Sequence, residues 1–184
     1  MNSTTPIKEA EKVHQLLQHF KKDNSRKGKR NYLLFMFGIH TGLRITDILE
    51  VRKSMIEGNY LSLKADKRSK EKRIPLSEQL MNELEPYLLQ LNDEDYLFSG
   101  SNRTEPLTRA RAYQILNEAG NANGLSNIGT HTLRKTFGYH LYLQTKDLEK
   151  VKLAMGYEYC DTTLIDYLNI RDLLIEDIMS DFSL

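Results

Sequence analysis

The chain has 184 residues, 40% of them apolar and 28% charged, a balance that suits one globular domain able to bury its own core without disulfide or metal support. A single cysteine, Cys160, excludes a disulfide framework and a four-cysteine zinc site and fits a reducing, cytoplasmic setting. The longest apolar run, Tyr32 to Phe37 and onward to Ile39, is too short to span a bilayer, and the first residues lack the pattern of a signal peptide. The net charge of +1 hides an asymmetry. Residues 1–80 carry 17 Lys and Arg against 9 Asp and Glu, whereas residues 81–184 carry 9 against 16, as for a polyanion-binding face or, equally, a solvated lysine-rich surface.

In chain order, Thr5-Pro6 reads as an N-cap and first helical position, with Val13, Leu16, Leu17 and Phe20 following at helical spacing. Residues 21–30 form a basic connector with six Lys or Arg and one Asp. A second apolar helix is expected from about Tyr32 to His40, broken by Thr41-Gly42. A third runs from Leu43 to Val51 with Ile45, Ile48 and Leu49 inward. Residues 55–57, 60–64 and 73–76 then read as three short strands, with a charged turn over 67–72 and Pro75 at a strand end where no ladder donor is needed. Helices resume after Ser77, with Pro86 as a possible kink. Others are expected after Thr108 and Thr130, at about 147–155 and at 161–169, and an amphipathic tail covers 171–180. The expected fold is mainly α with a small three-stranded antiparallel sheet (α+β), in a single domain over residues 1–184. No repeat and no Gly/Ser linker divides the chain.

Four features carry possible chemistry. In Thr41-Gly42-Leu43-Arg44-Ile45-Thr46-Asp47 the glycine permits a sharp turn, Arg44 starts a helix, and Asp47 lies one turn on, where it can brace or pair with Arg44. In His131-Thr132-Leu133-Arg134, an imidazole and a guanidinium share the first turn of a helix whose dipole favours an anion. Lys67 on the hairpin turn can reach across a cleft and protonate a leaving oxygen. Tyr167, in Thr162-Thr163-Leu164-Ile165-Asp166-Tyr167-Leu168, needs a cationic neighbourhood to act as a nucleophile on phosphorus. Taken singly, each has a plain structural reading: an exposed ion pair, a helix-start pair, a solvated hairpin lysine and a half-buried helix tyrosine. No carboxylate cluster with convincing metal spacing accompanies them.

Taken in order, these motifs resemble the catalytic domain of the tyrosine recombinases, the phage integrase family, over nearly the whole stretch from Pro6 to Ile170. The resemblance implies a site-specific DNA recombinase that cleaves and rejoins strands through a 3′-phosphotyrosyl intermediate, with neither metal nor other cofactor. It gives Arg44 and Arg134 the grip on the scissile phosphate, with charge neutralisation in the five-coordinate transition state. Lys67 corresponds to the lysine that protonates the 5′-oxygen, with Lys64 and Lys70 close by. His131 helps accept the proton of Tyr167, and Asp47 braces the cluster. The sequence departs from the family where a short Leu-Gly-His segment usually precedes the nucleophile. Here it reads Met155-Gly156-Tyr157-Glu158, so the third basic position falls to Tyr157, whose hydroxyl can still donate to a phosphate, or to Glu158, which would repel it.

Complete members carry an N-terminal core-binding domain that clamps the duplex. This chain begins almost at the catalytic domain, so weak DNA affinity and poor sequence choice are expected. Double-stranded DNA is the implied partner. The expected contacts are Lys21, Lys22, Arg26, Lys27, Lys29 and Arg30 of the connector, Lys64, Lys70 and Arg73 of the hairpin, and Arg109 and Arg111, with Arg103 as an addition. The family also implies a tetramer on DNA, linked by the tail over about 171–184, where Leu173, Leu174, Ile175 and Ile178 either reach a neighbouring protomer or dock on their own core. An inactive DNA-binding relative and a helical regulator with a groove-docking helix are the alternatives. The first is opposed by the intact Arg44, His131, Arg134 and Tyr167, and the second leaves the hairpin unexplained.

Overall fold

A central helix, α2 (Arg26–Thr41), organises the fold. From Tyr32 to Gly38 every residue is buried, because the helix is wrapped by α1 (Ala10–Lys21), α4 (Glu78–Leu88) and α6 (Thr130–Thr145). A helix that is apolar on most faces is stable only when covered on most faces. The structure, a computed structural model, describes residues 4–63, 72–157, 162–180 and 182–183. The remaining elements are α3 (Ile45–Leu49), α5 (Arg109–Ala122), α7 (Leu148–Met155), α8 (Thr162–Leu168) and α9 (Arg171–Ser180), a short 3-10 helix (Lys53–Met55), and strands β1 (Ile56–Glu57), β2 (Tyr60–Leu63) and β3 (Lys72–Pro75). The strands form one antiparallel sheet in the order β1-β2-β3, with Leu61 opposite Ile74 and Leu63 opposite Lys72. The expected mainly α fold with three short strands is therefore present, and Pro75 ends β3.

Two apolar clusters fill the interior. The larger surrounds α2 and takes in Leu16, Phe35, Phe37, Ile48, Leu61, Leu84 and Phe98. The smaller joins the C-terminal half of α6 to α7 and α8 through Tyr139, Tyr142, Val151, Met155, Leu164 and Leu168. The helix α6 runs through both. It lies close against α2 at Gly38, where an added Cβ would sit 2.4 Å from Leu133 Cδ1, so only a residue without a side chain allows that approach.

Several expected boundaries move, for local reasons. The first helix starts at Ala10, not at Pro6, because residues 4–7 are tied to α6: the Ile7 amide donates to Thr136 Oγ1 (2.9 Å), and the Ile7 carbonyl lies 2.9 Å from His140 Nε2. Residues 26–30 of the basic connector are helix, because Ser25 caps α2 by accepting from the Gly28 amide. Ser77 and Thr108 cap α4 and α5 as the sequence predicts. The cap of α6 is Gly129, and Thr130 is the first helical residue. α4 runs to Leu88 through Pro86.

Candidate active site

Gly42 places the first functional side chain. It ends α2 in the left-handed region, with φ 62°, and its amide donates to the Gly38 carbonyl, the usual way a helix is closed by glycine. The chain then turns at once into α3, with Arg44 as its N-cap. Arg44 is exposed, and Asp47 stands one turn on. Among the described residues no ion pair joins the two side chains; the Asp47 amide donates to the Arg44 carbonyl, and its carboxylate accepts from Thr46 Oγ1 at 3.4 Å.

His131 and Arg134 occupy the first turns of α6. Arg134 is only 5% exposed. Its guanidinium donates to the Gly42 carbonyl and, at 2.8 Å, to the Met155 carbonyl. It therefore ties the α2–α3 turn to the end of α7, across the join of the two cores. A guanidinium has five N–H donors, so both ties leave donors for a ligand. Arg44, Asp47, Glu50, Lys72, Arg134 and Gly156 share the walls of one cleft of about 470 Å³.

Tyr157 and Tyr167 lie beside Arg134. The Arg134 guanidinium sits 5.1 Å from the Tyr157 ring centre, the two tyrosine rings are 6.4 Å apart, and Lys135 Nζ lies 4.8 Å from the Tyr167 ring centre. Burial pushes the Tyr167 phenol up to about 12, and the neighbouring Tyr157 pushes the same way. The charges of Arg134 and Arg44 and a hydrogen bond from Arg134 pull it down. Tyr167 is thus a protonated phenol at neutral pH that needs a base as it reacts. His131 suits that task. Burial holds its imidazole below the usual 6.5, and the positive charges of Arg109, Lys135, Arg134 and Arg44 act in the same direction. It is neutral and able to accept a proton near pH 7.

The sequence-predicted residues Arg44, Asp47, His131, Arg134, Tyr157 and Tyr167 therefore come together from α3, α6, the end of α7 and α8. Lys67, Lys64, Lys70 and Glu158 lie outside the described residues. Two neighbours were missed by sequence reasoning. Lys135 follows Arg134, is buried, and donates to the Thr4 carbonyl at 2.6 Å. Lys72 was placed in the hairpin turn but begins β3 and lines the cleft. Strand alternation counted back from the half-buried Ile74 puts Lys72 on the inward face, a signal that the charged run around it obscures.

The expected DNA contacts divide. Lys22, Lys27, Lys29, Arg73, Arg109 and Arg111 are exposed, Arg73 against the Tyr60 ring at 4.5 Å. Lys21 is paired to Glu83 at 2.7 Å. Arg26 donates to Ser99 Oγ and to the carbonyls of Gly100 and Ser101. Arg103 is held by Asp95 and the Gln90 carbonyl. Arg30 is a correction. It is 4% exposed and donates to the Ser99 carbonyl at 2.7 Å, because its place on α2 turns it inward. It is an internal brace and not a surface cation. Among the described residues no His, Cys, Asp or Glu cluster could hold a metal, and no helix is long and apolar enough to cross a membrane.

The phage integrase family model matches residues 8–173. The chain is 38% identical over 165 residues to the probable integrase/recombinase YoeC of Bacillus subtilis, covering 89% of each chain. It is 30% identical over 160 residues to the tyrosine recombinase XerC of Staphylococcus epidermidis and 29% identical over 160 residues to XerA of Pyrococcus furiosus. These alignments cover 83% and 84% of this chain but 53% and 54% of the relatives, so the chain spans about half the length of the Xer proteins. Among solved structures, the XerA recombinase matches with a TM-score of 0.77 at 19% identity over 96% of this chain and 65% of that one. The XerH recombinase in a post-cleavage complex with difH matches at 0.75 and 24%, over 98% and 54%. The catalytic domain of bacteriophage HP1 integrase matches at 0.62 and 15%, over 97% and 95%. These three likenesses establish the fold.

Proposed function

The chain belongs to the phage integrase family, and on that premise we propose that it is a site-specific DNA recombinase whose Tyr167 cleaves and rejoins DNA strands. The observation that carries this reading is the convergence of Arg44, His131, Arg134 and Tyr167 from α3, α6 and α8, with Arg44 and Arg134 in the wall of one cleft and acting electrostatically on both His131 and Tyr167. Arg44 and Arg134 grip the scissile phosphate and neutralise its growing charge. The Tyr167 oxygen attacks phosphorus and its proton passes to His131. The 5′-oxygen leaves with a proton from the hairpin lysine, assigned to Lys67. The 3′-phosphotyrosyl bond keeps the energy of the broken bond, so the 5′-hydroxyl of another strand can reverse the step. No metal or cofactor enters this scheme. Tyr157 takes the third phosphate-facing position, and Asp47, which lines the same cleft, is assigned to brace the cluster.

Double-stranded DNA is the proposed partner, in keeping with XerH, solved with its difH substrate, and lambda integrase, solved on a core site. Phosphate contacts are assigned to Lys22, Lys27, Lys29, Arg73, Arg109 and Arg111, with Lys64 and Lys70 from the hairpin. The tail is proposed to link protomers on DNA through its outward face. Leu173 and Leu174 pack on the chain's own smaller core, while Ile175, Ile178 and Met179 stand 54%, 66% and 62% exposed.

The test is a library of duplexes nicked beside candidate scissile phosphates, so that the cleaved end diffuses away and the covalent adduct is trapped. We expect a protein–DNA adduct on a denaturing gel with the parent chain and none with Tyr167→Phe. An adduct that survives in Tyr167→Phe removes Tyr167 as nucleophile. Salt-sensitive DNA binding without any adduct identifies an inactive DNA-binding relative.

A further inference from the structure

Lys72 is a cation of the cleft to which the proposed reaction assigns no task. It opens β3 directly opposite Leu63, and Leu63 lines the same cleft. Its ammonium crosses toward the turn at the end of α7, so close that a Cβ added to Gly156 would lie 2.9 Å from Nζ. Gly156, with φ 69°, ends α7, one residue after the Met155 carbonyl that holds Arg134. Lys72, Arg44 and Arg134 thus reach the cleft from the sheet, from the start of α3 and from α6. Asp47 and Glu50 also line it, and among the described residues neither is ion-paired to Lys72. Gly156 and Tyr157, on the α7 side, bring no charge to this wall. A dianionic five-coordinate phosphate held only by Arg44 and Arg134 would be open on that side, and the Lys72 ammonium occupies it.

We propose that Lys72 is a third phosphate-gripping cation of the active site, one that contacts a non-bridging oxygen in the transition state and does not protonate the leaving group. The inference rests on the recombinase reading above. It separates two lysines of one hairpin by their chemistry. A proton donor becomes dispensable when the leaving atom no longer needs a proton, whereas a charge clamp does not.

The test compares Lys72→Met and Lys72→Arg with the parent in single-turnover adduct formation, on a normal nicked duplex and on one whose 5′-bridging oxygen is sulfur, a leaving group that departs without protonation. Lys72 is exposed at a strand end, and thermal melts verify that the variants are folded. We expect Lys72→Met to slow cleavage about 100-fold on both duplexes and Lys72→Arg to restore most of the rate. A loss below about threefold on the normal duplex, or full rescue by sulfur, overturns the assignment. A second readout does not need cleavage. In the Tyr167→Phe protein bound to duplex, mass spectrometry after amine acylation should find Lys72 protected. Acylation as fast with DNA as without it overturns the assignment too. A parent chain that forms no adduct overturns the recombinase reading, and the acylation result still judges Lys72.

Discussion

Arg134 commits two donors to main-chain carbonyls, those of Gly42 and Met155, before any substrate arrives. A lysine has the charge but not the planar fork, so it cannot span both carbonyls and still face a phosphate. Arg134→Lys should therefore reduce adduct formation by about 100-fold or more while leaving DNA binding nearly unchanged, read by single-turnover cleavage beside a binding titration. His131 supports a prediction with a definite sign. The proposed reaction needs its neutral form, so the rate should fall as pH drops through the imidazole pKa. Burial, with the charges of Arg109, Lys135, Arg134 and Arg44, puts that pKa below 6.5. The acid limb of the cleavage rate at sub-saturating DNA, which reports the DNA-free protein, should lie below pH 6.5, and Arg109→Gln should move it upward by removing the strongest of these cationic influences. A limb that stays in place in Arg109→Gln would separate His131 from proton transfer.

Helix packing positions these side chains, and its tightest point is Gly38 of α2 against Leu133 of α6. On an exposed helix Gly→Ala gains up to about 1 kcal/mol. Here the new Cβ would lie 2.4 Å from Leu133 Cδ1 and 2.8 Å from Leu133 Cβ, and overpacking of this kind costs about 1–3 kcal/mol. Gly38→Ala should thus be net destabilising and lower Tm by a few degrees, roughly 2–4 °C per kcal/mol at this chain length, with cleavage impaired because Arg134 rides on α6. At the other end of α6, Asp177 of α9 accepts from Tyr142 at 2.8 Å and from Lys146 at 2.8 Å. Lys146 first, and then Tyr142, hold the Asp177 carboxyl below the usual carboxylate range. A depressed carboxyl stabilises the docked helix above its unfolded-state pKa and loses that effect as pH falls through the folded value. Hydrogen-exchange protection over α9, corrected for the intrinsic exchange rate, should fall in acid, and Asp177→Asn should be less protected than the parent at neutral pH but show less acid dependence. Most elements were readable from apolar spacing, from Ser77 and Thr108 as caps and from Gly42 as a stop. The start of α1 was not, since Thr5-Pro6 has the local chemistry of a helix start and only the distant Thr136 and His140 hold Ile7 out of one. Tertiary hydrogen bonds overrode a local signal.

At the scale of the whole molecule, successive motifs lie 23 to 64 residues apart in the chain, yet their order pointed to one site through its resemblance to the phage integrase family. What the sequence hid was direction. Charge counts place a surplus of cations in residues 1–80 but do not say which face water. Arg30 and Lys29 are neighbours of the same type in the same helix, and α2 sends one inward to the Ser99 carbonyl and leaves the other exposed. That split gives a test of the DNA-facing surface. A protein that neutralises about six phosphates should lose roughly 10³-fold in affinity between 50 and 200 mM salt. Lys29→Ala should lower the salt slope by about one and leave Tm unchanged. Arg30→Ala should leave the slope of the folded protein intact and lower Tm, since it orphans a buried carbonyl at a cost of about 1–3 kcal/mol. Parallel salt titrations and melts of the two variants decide it. Equal effects of the two substitutions on the slope would mean that the face of α2 bearing Lys29 is not the one that meets DNA.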